Sequence, residues 1–365
     1  MVPLKLAALR AYAVTRTLFQ PIDLAAAVRT LGFVQIDPIR APARAQDLIL
    51  RHRVADYRAG DLEQRFPDLP LAEDFVHVYG VLPEASLDLL HPRRRQHTWR
   101  VEREHPALAR KILGHIERNG PTHPRELTRA LGSARVVNGW GGSSAATTRM
   151  LEALHYRGKL RVLRRDNGVK VYGVAPARES GLPLPLRAEQ LLQMLVRLYA
   201  PLSMASLRQL AAMVTQDSIP EATRMRAMAQ LFRSDWVAKG VVDGVDYLWP
   251  ADERTRVEAP DTVRLLAPFD PIVWDRRRFA HLWGWEYRFE AYTPPVKRRY
   301  GYYALPMLWR ERVIGWANVT NVTLKSGRLD VKTGFAGKEP RGSTFARQLE
   351  HEIDALSRSL GNEGT

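Results

Sequence analysis

The sequence has no cysteine, which excludes disulfide bonds, thiolate zinc sites, cysteine-ligated iron–sulfur clusters and a cysteine nucleophile. It also has no apolar run approaching the roughly 18–20 residues that a membrane-spanning helix needs. Its first residues, MVPLKLAALRAYAVTR, lack the basic start, apolar run and small-residue cleavage site of a secretory signal peptide. We therefore expect a cytoplasmic protein that makes no contact with a membrane.

Acidic residues are few compared with basic ones: 39 Asp and Glu stand against 55 Lys and Arg, and the formal net charge is +16. Lysine itself is scarce, with 9 residues against 46 arginines. Because the planar guanidinium matches a pair of phosphate oxygens, this bias favours a polyanionic partner, nucleic acid first. The alternative is that codon bias in a GC-rich genome raises the arginine content without any functional reason.

Two stretches of the chain repeat the order of three helices followed by a β-hairpin, which is typical of a winged helix. The helices of the first stretch are predicted at about 106–119, behind Thr122-His123-Pro124 and at 144–157. Those of the second stretch are predicted at about 187–199, 203–214 and 220–234. The first hairpin turns at Asp166-Asn167-Gly168, a strong turn signal between two β-rich runs, and the second turns around Val242-Asp243-Gly244.

Two further regions complete a predicted α+β fold of tandem winged-helix domains followed by a small antiparallel β-barrel. Helices near the N-terminus and a short strand at 33–37 indicate a third, degenerate copy of the winged helix. From about residue 261, aromatic and branched residues alternate with polar ones, which predicts the barrel, with a closing helix over 343–359. The predicted domains are 1–104, 105–180, 181–255 and 256–365.

The first candidate for chemistry is Gln35-Ile36-Asp37, on the predicted N-terminal strand. Alternation along a strand places Gln35 and Asp37 on one face. A carboxylate two residues from an amide can hold and activate one water, and it can also stabilise a developing cation. The structural alternative is an aspartate at the end of a strand that caps the next helix, with Gln35 facing solvent.

Glu73 and His77 are four residues apart, so on a helix they would share a face. They could then form an ion pair, a proton relay or two ligands of a metal, and His77 is a candidate for catalysis or substrate contact. A third ligand is not evident and no HExxH motif is present, so we expect neither a metal nor another cofactor. The alternative is a hydrogen-bonded structural histidine.

Two groups of basic residues are candidates for DNA binding. Arg149, Arg157 and Arg161 fall on the candidate recognition helix and wing of the middle winged helix, where phosphate contacts are expected. The run Lys297-Arg298-Arg299 lies among tyrosines, and this interleaving suits stacking on bases and pairing with phosphates. The alternatives are a solvated face for the first group and a barrel core with basic turns for the second.

Four segments together resemble the AlkZ-like and YcaQ-like winged-helix DNA glycosylases, from about residue 5 to the C-terminus. They are QIDPIRAPARAQDLILRHR, YRGKLRV, LLAPFDPIVWDRRR and YTPPVKRRYGYYALPML. Gln35 and Asp37 match the glutamine–x–aspartate signature of the YcaQ-like branch, whereas the AlkZ-like pattern has glutamine in both places. EDFVHVYGVLP is similar to that branch's EYWAHEASLLP; it keeps Glu73 and His77 but replaces the aromatic pair and the acidic step after the histidine.

The resemblance implies three tandem winged helices and a C-terminal β-barrel around a DNA channel. It implies a monofunctional, metal-independent DNA glycosylase of base excision repair that acts on alkylation damage. The substrates would be bulky N-alkylated purines such as N7-alkylguanine in double-stranded DNA and, as in some members, interstrand crosslinks. Asp37 would stabilise the sugar cation and take a proton from a water that Gln35 orients. We expect a monomer associated with the nucleoid.

Two other functions fit parts of the pattern. A non-catalytic tandem winged-helix transcription regulator also needs basic helices and wings. A regulator gives no reason, however, for Gln35 and Asp37 to face the DNA. It also usually dimerises on a palindromic site, and no dimerisation heptad is evident here. A nuclease would typically need a cluster of Asp and Glu for Mg²⁺, which the sequence does not show near its basic segments.

Overall fold

The computed structural model describes residues 5–93, 98–132, 134–137, 142–178, 181–320 and 329–361. The chain divides into two compact units. The first unit comprises 1–62, 193–209 and 231–365, and the second unit comprises 63–192 and 210–230. No helix in the described ranges is both long and apolar enough to cross a membrane.

Helices and short strands are mixed along the chain, which confirms the predicted α+β class. The helices are α1 (Leu6–Thr17), α2 (Leu24–Leu31), α3 (Ala45–Leu50), α4 (Asp61–Arg65), α5 (Leu87–Leu90), α6 (Arg100–Glu104), α7 (Leu108–Asn119), α8 (Pro124–Leu131), α9 (Ala146–Tyr156), α10 (Leu184–Tyr199), α11 (Met204–Thr215), α12 (Glu221–Arg233), α13 (Arg276–Trp283) and α14 (Ser343–Ser359). The strands are β1 (Val34–Gln35), β2 (Leu71–Phe75), β3 (Tyr79–Pro83), β4 (Arg135–Val137), β5 (Ser143–Ala145), β6 (Leu160–Asp166), β7 (Val169–Val174), β8 (Leu202–Ser203), β9 (Val237–Val242), β10 (Val245–Pro250), β11 (Val263–Leu265), β12 (Leu305–Trp309), β13 (Arg312–Thr320) and β14 (Asp330–Phe335).

The second unit contains the first predicted series of three helices and a hairpin. Helices α7, α8 and α9 are followed by the antiparallel strands β6 and β7. The predicted turn is confirmed: Asn167 and Gly168 have positive φ angles of 52° and 86°, as a tight hairpin turn requires. Thr122 adds an antiparallel bridge to Tyr172. Apolar side chains of all three helices form the core of this unit, among them Ile112, Ile116, Leu127, Met150 and Leu151.

The second predicted series is also present as an order of elements. Helices α10, α11 and α12 precede the antiparallel hairpin of β9 and β10, and β8 pairs with the other side of β10. The turn residues Asp243 and Gly244 have positive φ angles of 49° and 78°. Because the boundaries between the two compact units fall inside these helices, the division into four domains stays a prediction.

The C-terminal part of the first unit is an antiparallel sheet with the strand order β11-β12-β13-β14. Aromatic rings pack beside it: Trp316 of β13 stacks on Trp285 with centroids 5.9 Å apart and meets Tyr300 edge-on at 4.9 Å. The same core includes Leu9 and Tyr12 of α1. The first unit therefore joins the N-terminal helices to the C-terminal sheet, although these segments are far apart in the chain.

This sheet is open, whereas the sequence analysis predicted a small barrel. Among the described residues, no pairing joins β11 to β14. The outer edge of β11 is occupied by side chains instead. The N–H of Leu265 donates to Glu352 of α14 at 2.7 Å, and its carbonyl accepts from Arg51 at 3.0 Å and from His52 at 3.1 Å. These side chains satisfy the N–H and carbonyl of Leu265 at the edge of the sheet. A closed barrel would need another strand at this position, whereas here the N–H of Leu265 is bound by Glu352 of α14.

Candidate active site

Asp37 lies two residues beyond β1 in the first unit, and its side chain is half-buried. Its Oδ1 accepts the N–H of Ile39 at 2.9 Å, in the local turn that aspartate favours. Its own N–H donates to Oε1 of the buried Gln46 of α3 at 3.3 Å. The N-cap of α3 is Arg44, which makes no side-chain capping bond. Asp37 therefore does not cap the next helix.

The carboxylate of Asp37 has no ion-pair partner within the part of the chain that the structure describes. Oδ2 likewise has no hydrogen-bond partner among those residues. Burial raises the pKa of Asp37, and the N–H of Ile39 lowers it only in part. By contrast, the buried Asp270 accepts hydrogen bonds from Arg53 at 2.9 and 3.1 Å. In an arginine-rich chain, a half-buried carboxylate left without a cation is available to a water or to a cationic substrate.

Gln35 is the last residue of β1 and is half-buried. Because the observed strand covers only Val34 and Gln35, strand alternation does not extend to Asp37. The placement of the two side chains on a common face therefore stays a prediction. The structure does place both residues on one short segment of the first unit, next to the buried Gln46 that holds the backbone of Asp37.

Tyr303, to which the sequence analysis assigned no role, lies within electrostatic reach of Asp37. Its side chain is 3% exposed, and its buried hydroxyl has no hydrogen-bond partner among the described residues. Burial raises the pKa of Tyr303, and the negative charge of Asp37 raises it further. Because an unbonded buried hydroxyl is costly, a water or the substrate is the expected partner. The only signal in the sequence was its position in YTPPVKRRYGYYALPML.

The segment 290–302, here called the basic loop, is bound at its base by one buried carboxylate. Glu290 accepts the N–H groups of Arg299 at 2.9 Å, Tyr300 at 2.7 Å and Gly301 at 3.2 Å. Burial alone would raise the pKa of Glu290, but the three donors outweigh this effect and the pKa is lowered. The loop is therefore anchored through its own backbone, in the same unit as Asp37 and Tyr303.

The cations of the basic loop differ in exposure. Lys297 and Arg299 are exposed, whereas Arg298 is half-buried. Arg298 donates from Nε to the carbonyl of Thr293 at 2.8 Å and lies over the ring of Tyr302, 5.1 Å from its centroid. Lys297 and Arg299 are thus the two cations of this run that are most open to a phosphate. DNA binding by all three stays a prediction.

The segment LLAPFDPIVWDRRR, on which the resemblance also rests, is part of the core of the first unit. Asp270 and Arg53 form a fully buried ion pair, each with no exposed side-chain surface. Asp275 caps α13 by accepting the N–H of Arg278 at 3.1 Å, and it accepts the hydroxyl of Ser206 at 2.5 Å. Asp270 and Asp275 therefore have structural roles within the first unit.

Glu73 and His77 lie on a β-hairpin, so the helical face predicted for them is wrong. Glu73 is in β2 opposite Val81 of β3, and His77 lies in the turn between these strands. Glu73 accepts two bonds from Arg165, both 2.7 Å long, and one from the hydroxyl of Tyr79 at 2.7 Å. Burial lowers the pKa of His77 to about 4, so its imidazole is neutral at physiological pH. Across the described ranges, no group of three or more His, Asp or Glu side chains is arranged to hold a metal ion.

The second unit places its three candidate DNA-binding arginines differently. Arg149 on α9 pairs with Glu152 on the same helix, and both remain partly exposed. Arg157 follows α9, is only 9% exposed and pairs with Glu102 at 3.3 Å. Arg161 on β6 is exposed. This placement favours Arg149 and Arg161 for phosphate contact and a structural role for Arg157.

Comparison with known proteins defines the class to which this chain belongs. The chain is similar over 99% of its length to the Streptomyces sahachiroi DNA glycosylase AlkZ, covering 98% of that chain with a TM-score of 0.65 and 15% sequence identity. At this identity the similarity shows a shared fold. Residues 28–359 match the family described as DNA glycosylase AlkZ-like, so the class is that of DNA glycosylases, hydrolases that act on N-glycosyl bonds. The chain belongs to this AlkZ-like family, which confirms the recognition made from the sequence.

Proposed function

We propose that the protein is a monofunctional DNA glycosylase that hydrolyses the N-glycosidic bond of bulky N-alkylated purines, N7-alkylguanine above all, in double-stranded DNA. The observation that carries the proposal is the carboxylate of Asp37, half-buried and without an ion-pair partner among the described residues. Such a group suits a reaction in which positive charge develops next to it. The proposed enzyme acts as a monomer in the cytoplasm, close to the nucleoid.

The chemistry of the substrate explains why one carboxylate can suffice. A guanine alkylated on N7 is already cationic, so it leaves without a strong general acid. The C1′–N9 bond breaks, its electron pair neutralises the departing base, and the sugar acquires oxocarbenium character. Asp37 would stabilise that cation and take the proton from the water whose oxygen forms the new bond to C1′. Gln35 would orient this water, and the hydroxyl of Tyr303 would donate a hydrogen bond to it.

The proposed contacts to duplex DNA come from both units. Arg149 and Arg161 of the second unit, on the helix and hairpin that we interpret as a winged helix, would bind phosphates. Lys297 and Arg299 of the basic loop would do the same in the first unit, with Arg298 held between Thr293 and Tyr302. Arg157 would orient its neighbours from its buried position. His77, neutral because of burial, would contact the lesion or the strand as an uncharged group.

The proposed activity also includes the unhooking of interstrand crosslinks. A crosslinked base is tied to the other strand and cannot easily swing out into a closed pocket, as many glycosylases require. The basic loop that shares a unit with Asp37 and Tyr303 is a surface element with exposed cations and aromatic rings. A surface of this kind suits attack on a base that stays within the duplex.

The experiment that tests the proposal measures release of N7-methylguanine from a duplex in EDTA by the wild type and by Asp37→Asn. We expect release by the wild type and a loss of about 10²-fold or more in the variant, because a base and a cation-stabilising charge are both removed. Asp23→Asn is a matched control, since Asp23 accepts the N–H of Ala26 as the cap of α2 and asparagine also caps well. Equal rates for Asp37→Asn and the wild type would remove Asp37 from the mechanism.

The nature of the product separates this proposal from a bifunctional enzyme and from a regulator. We expect an intact abasic site, so strand cleavage should require alkali or heat. If the wild type released neither N7-methylguanine nor a crosslinked base but bound duplex DNA with steep salt dependence, the transcription regulator would be the better description.

A further inference from the structure

The tip of the basic loop exposes an apolar side chain to an unusual degree. Val296 lies in a single 3-10 turn over Pro295–Lys297 and is 93% exposed, and Tyr292 in the same loop is 80% exposed. Single exposed apolar residues are common on protein surfaces and need no explanation by themselves. Val296 differs because the backbone around it is firmly held and the side chains next to it are cations.

Several hydrogen bonds hold the backbone at the tip. The N–H of Lys297 donates to the carbonyl of Pro294 at 2.9 Å, and the N–H of Arg298 donates to the carbonyl of Pro295 at 3.2 Å. The two prolines fix their own φ angles, which removes freedom on the N-terminal side of Val296. The N–H groups of residues 299–301 are bound to Glu290. The backbone is therefore held in place on both sides of Val296.

The charge around the tip points to a nucleic-acid partner. Residues 291–302 contain Lys297, Arg298 and Arg299 and no acidic residue. The one carboxylate next to the segment, Glu290, is buried and turned to the backbone. An apolar tip flanked by cations would be poorly suited to an apolar protein surface, because three charges would lose their hydration, whereas phosphates on both sides of a groove would pair with them.

We propose that Pro295 and Val296 form a wedge that enters the minor groove of duplex DNA and separates two stacked base pairs next to the lesion. Lys297 and Arg299 would bind the phosphates on either side, and Tyr292 would stack on a base that the wedge exposes. The inference rests on the proposed function in one respect, the duplex substrate. Opening the stack would let C1′ of a bulky or crosslinked nucleotide approach a water without extrusion of the base.

The test uses an undamaged duplex that carries 2-aminopurine, a base whose fluorescence rises on unstacking. We compare the wild type with Val296→Ser, with Val296→Leu and with Val241→Ser. Val241 is a matched control because it is an exposed valine, 42% accessible, on β9 outside the basic loop. We expect the fluorescence increase with the wild type, Val296→Leu and Val241→Ser, and its loss with Val296→Ser at saturating protein.

Two further readouts separate a wedge from a simple contact. The salt dependence of binding should be unchanged in Val296→Ser, whereas Lys297→Ala should lower the slope of log K against log salt by about one phosphate contact, roughly 0.9. Release of N7-methylguanine should be roughly tenfold slower in Val296→Ser, since less unstacking energy is then supplied.

The outcomes for the wedge and for the glycosylase differ. Unstacking by the wild type without base release would support the wedge and overturn the proposed function. Base release at the wild-type rate by Val296→Ser, or an unchanged fluorescence signal in that variant, would overturn the wedge and leave the proposed function intact. Failure of the wild type to bind the undamaged duplex, or to unstack it once bound, would also overturn the wedge.

Discussion

Replacing Arg53 by methionine removes the cation from a fully buried ion pair in the first unit. The guanidinium donates two bonds to Asp270, at 2.9 and 3.1 Å, and others to the carbonyls of Thr17 at 2.8 Å and Ile49 at 2.6 Å. Without it, the buried carboxylate of Asp270 loses its ion pair, and among the described residues only the N–H of Ile272, at 3.0 Å, still donates to it. Breaking such a pair costs about 3–5 kcal/mol.

The loss is large enough to measure by thermal unfolding followed by circular dichroism. At about 2–4 °C per kcal/mol, the midpoint should fall by roughly 6–20 °C. Arg310→Met is the control: Arg310 pairs with Asp261 at 2.8 Å on the surface, where both side chains are about half exposed, and water screens such pairs so that they contribute little. The double variant Arg53→Met with Asp270→Leu should recover most of the loss, because no buried charge is left alone.

The reasoning would be refuted if Arg53→Met unfolded at the same temperature as Arg310→Met, or if the double variant were no more stable than the single one. Either result would mean that the segment LLAPFDPIVWDRRR does not act through its buried ion pair.

Four further predictions concern Asp37, Tyr303 and the basic loop. Burial raises the pKa of Asp37, and the proposed reaction needs its ionised form. The acid limb of the pH–rate profile should therefore lie above the pKa near 3.9 of an ordinary aspartate. A limb at that value would contradict the role proposed for Asp37. The same shift means that ionising Asp37 costs folding free energy above its folded pKa, so Asp37→Asn should be as stable as the wild type or more stable at neutral pH. Tyr303→Phe removes the hydroxyl that we propose donates to the attacking water, so base release should slow by about tenfold or more. Because this hydroxyl has no hydrogen-bond partner among the described residues, stability and DNA affinity should not fall, and a lowered unfolding temperature would indicate a structural role. Gly301→Ala should weaken duplex binding and lower the unfolding temperature, because Gly301 has a φ of +124° and an added Cβ would lie 2.2 Å from Oδ1 of Asn318. Gly337→Ala, where the Cβ meets nothing within 4 Å, is the control, and equal binding by the two variants would contradict the prediction.

Local features of the fold were predictable because their causes lie within a few residues. The hairpin at Asp166-Asn167-Gly168 forms where its turn residues favour positive φ, and α7 and α9 lie close to the ranges predicted for them. The open edge of the C-terminal sheet, where a barrel was predicted, was not predictable in the same way. Whether β11 meets another strand or a helix depends on Glu352, far along the chain, whose carboxylate accepts the N–H of Leu265.

The candidate site shows the same division. The motif Gln35-Ile36-Asp37 and the family could be recognised from the sequence, because short motifs and long matching segments are visible in one dimension. Glu73 and His77 show that residue spacing alone does not determine whether a segment is a helix or a strand. Four residues apart, they fit a helical face, but cross-strand pairing of β2 with β3 sets the neighbours of Glu73 instead. Tyr303 had no distinguishing signal among the tyrosines around it.

By itself, the sequence determined the class of fold, the positions of most helices and turns, the membership of a DNA glycosylase family and an excess of arginine suited to a polyanion. Only the tertiary structure decided which charged side chains pair with one another inside the protein. Arg157 and Asp270 are occupied by partners, whereas Asp37 has no ion pair among the described residues. The reason is physical: an ion pair depends on side chains brought together by folding, as with Arg53 and Asp270, which are separated by 217 positions in the chain.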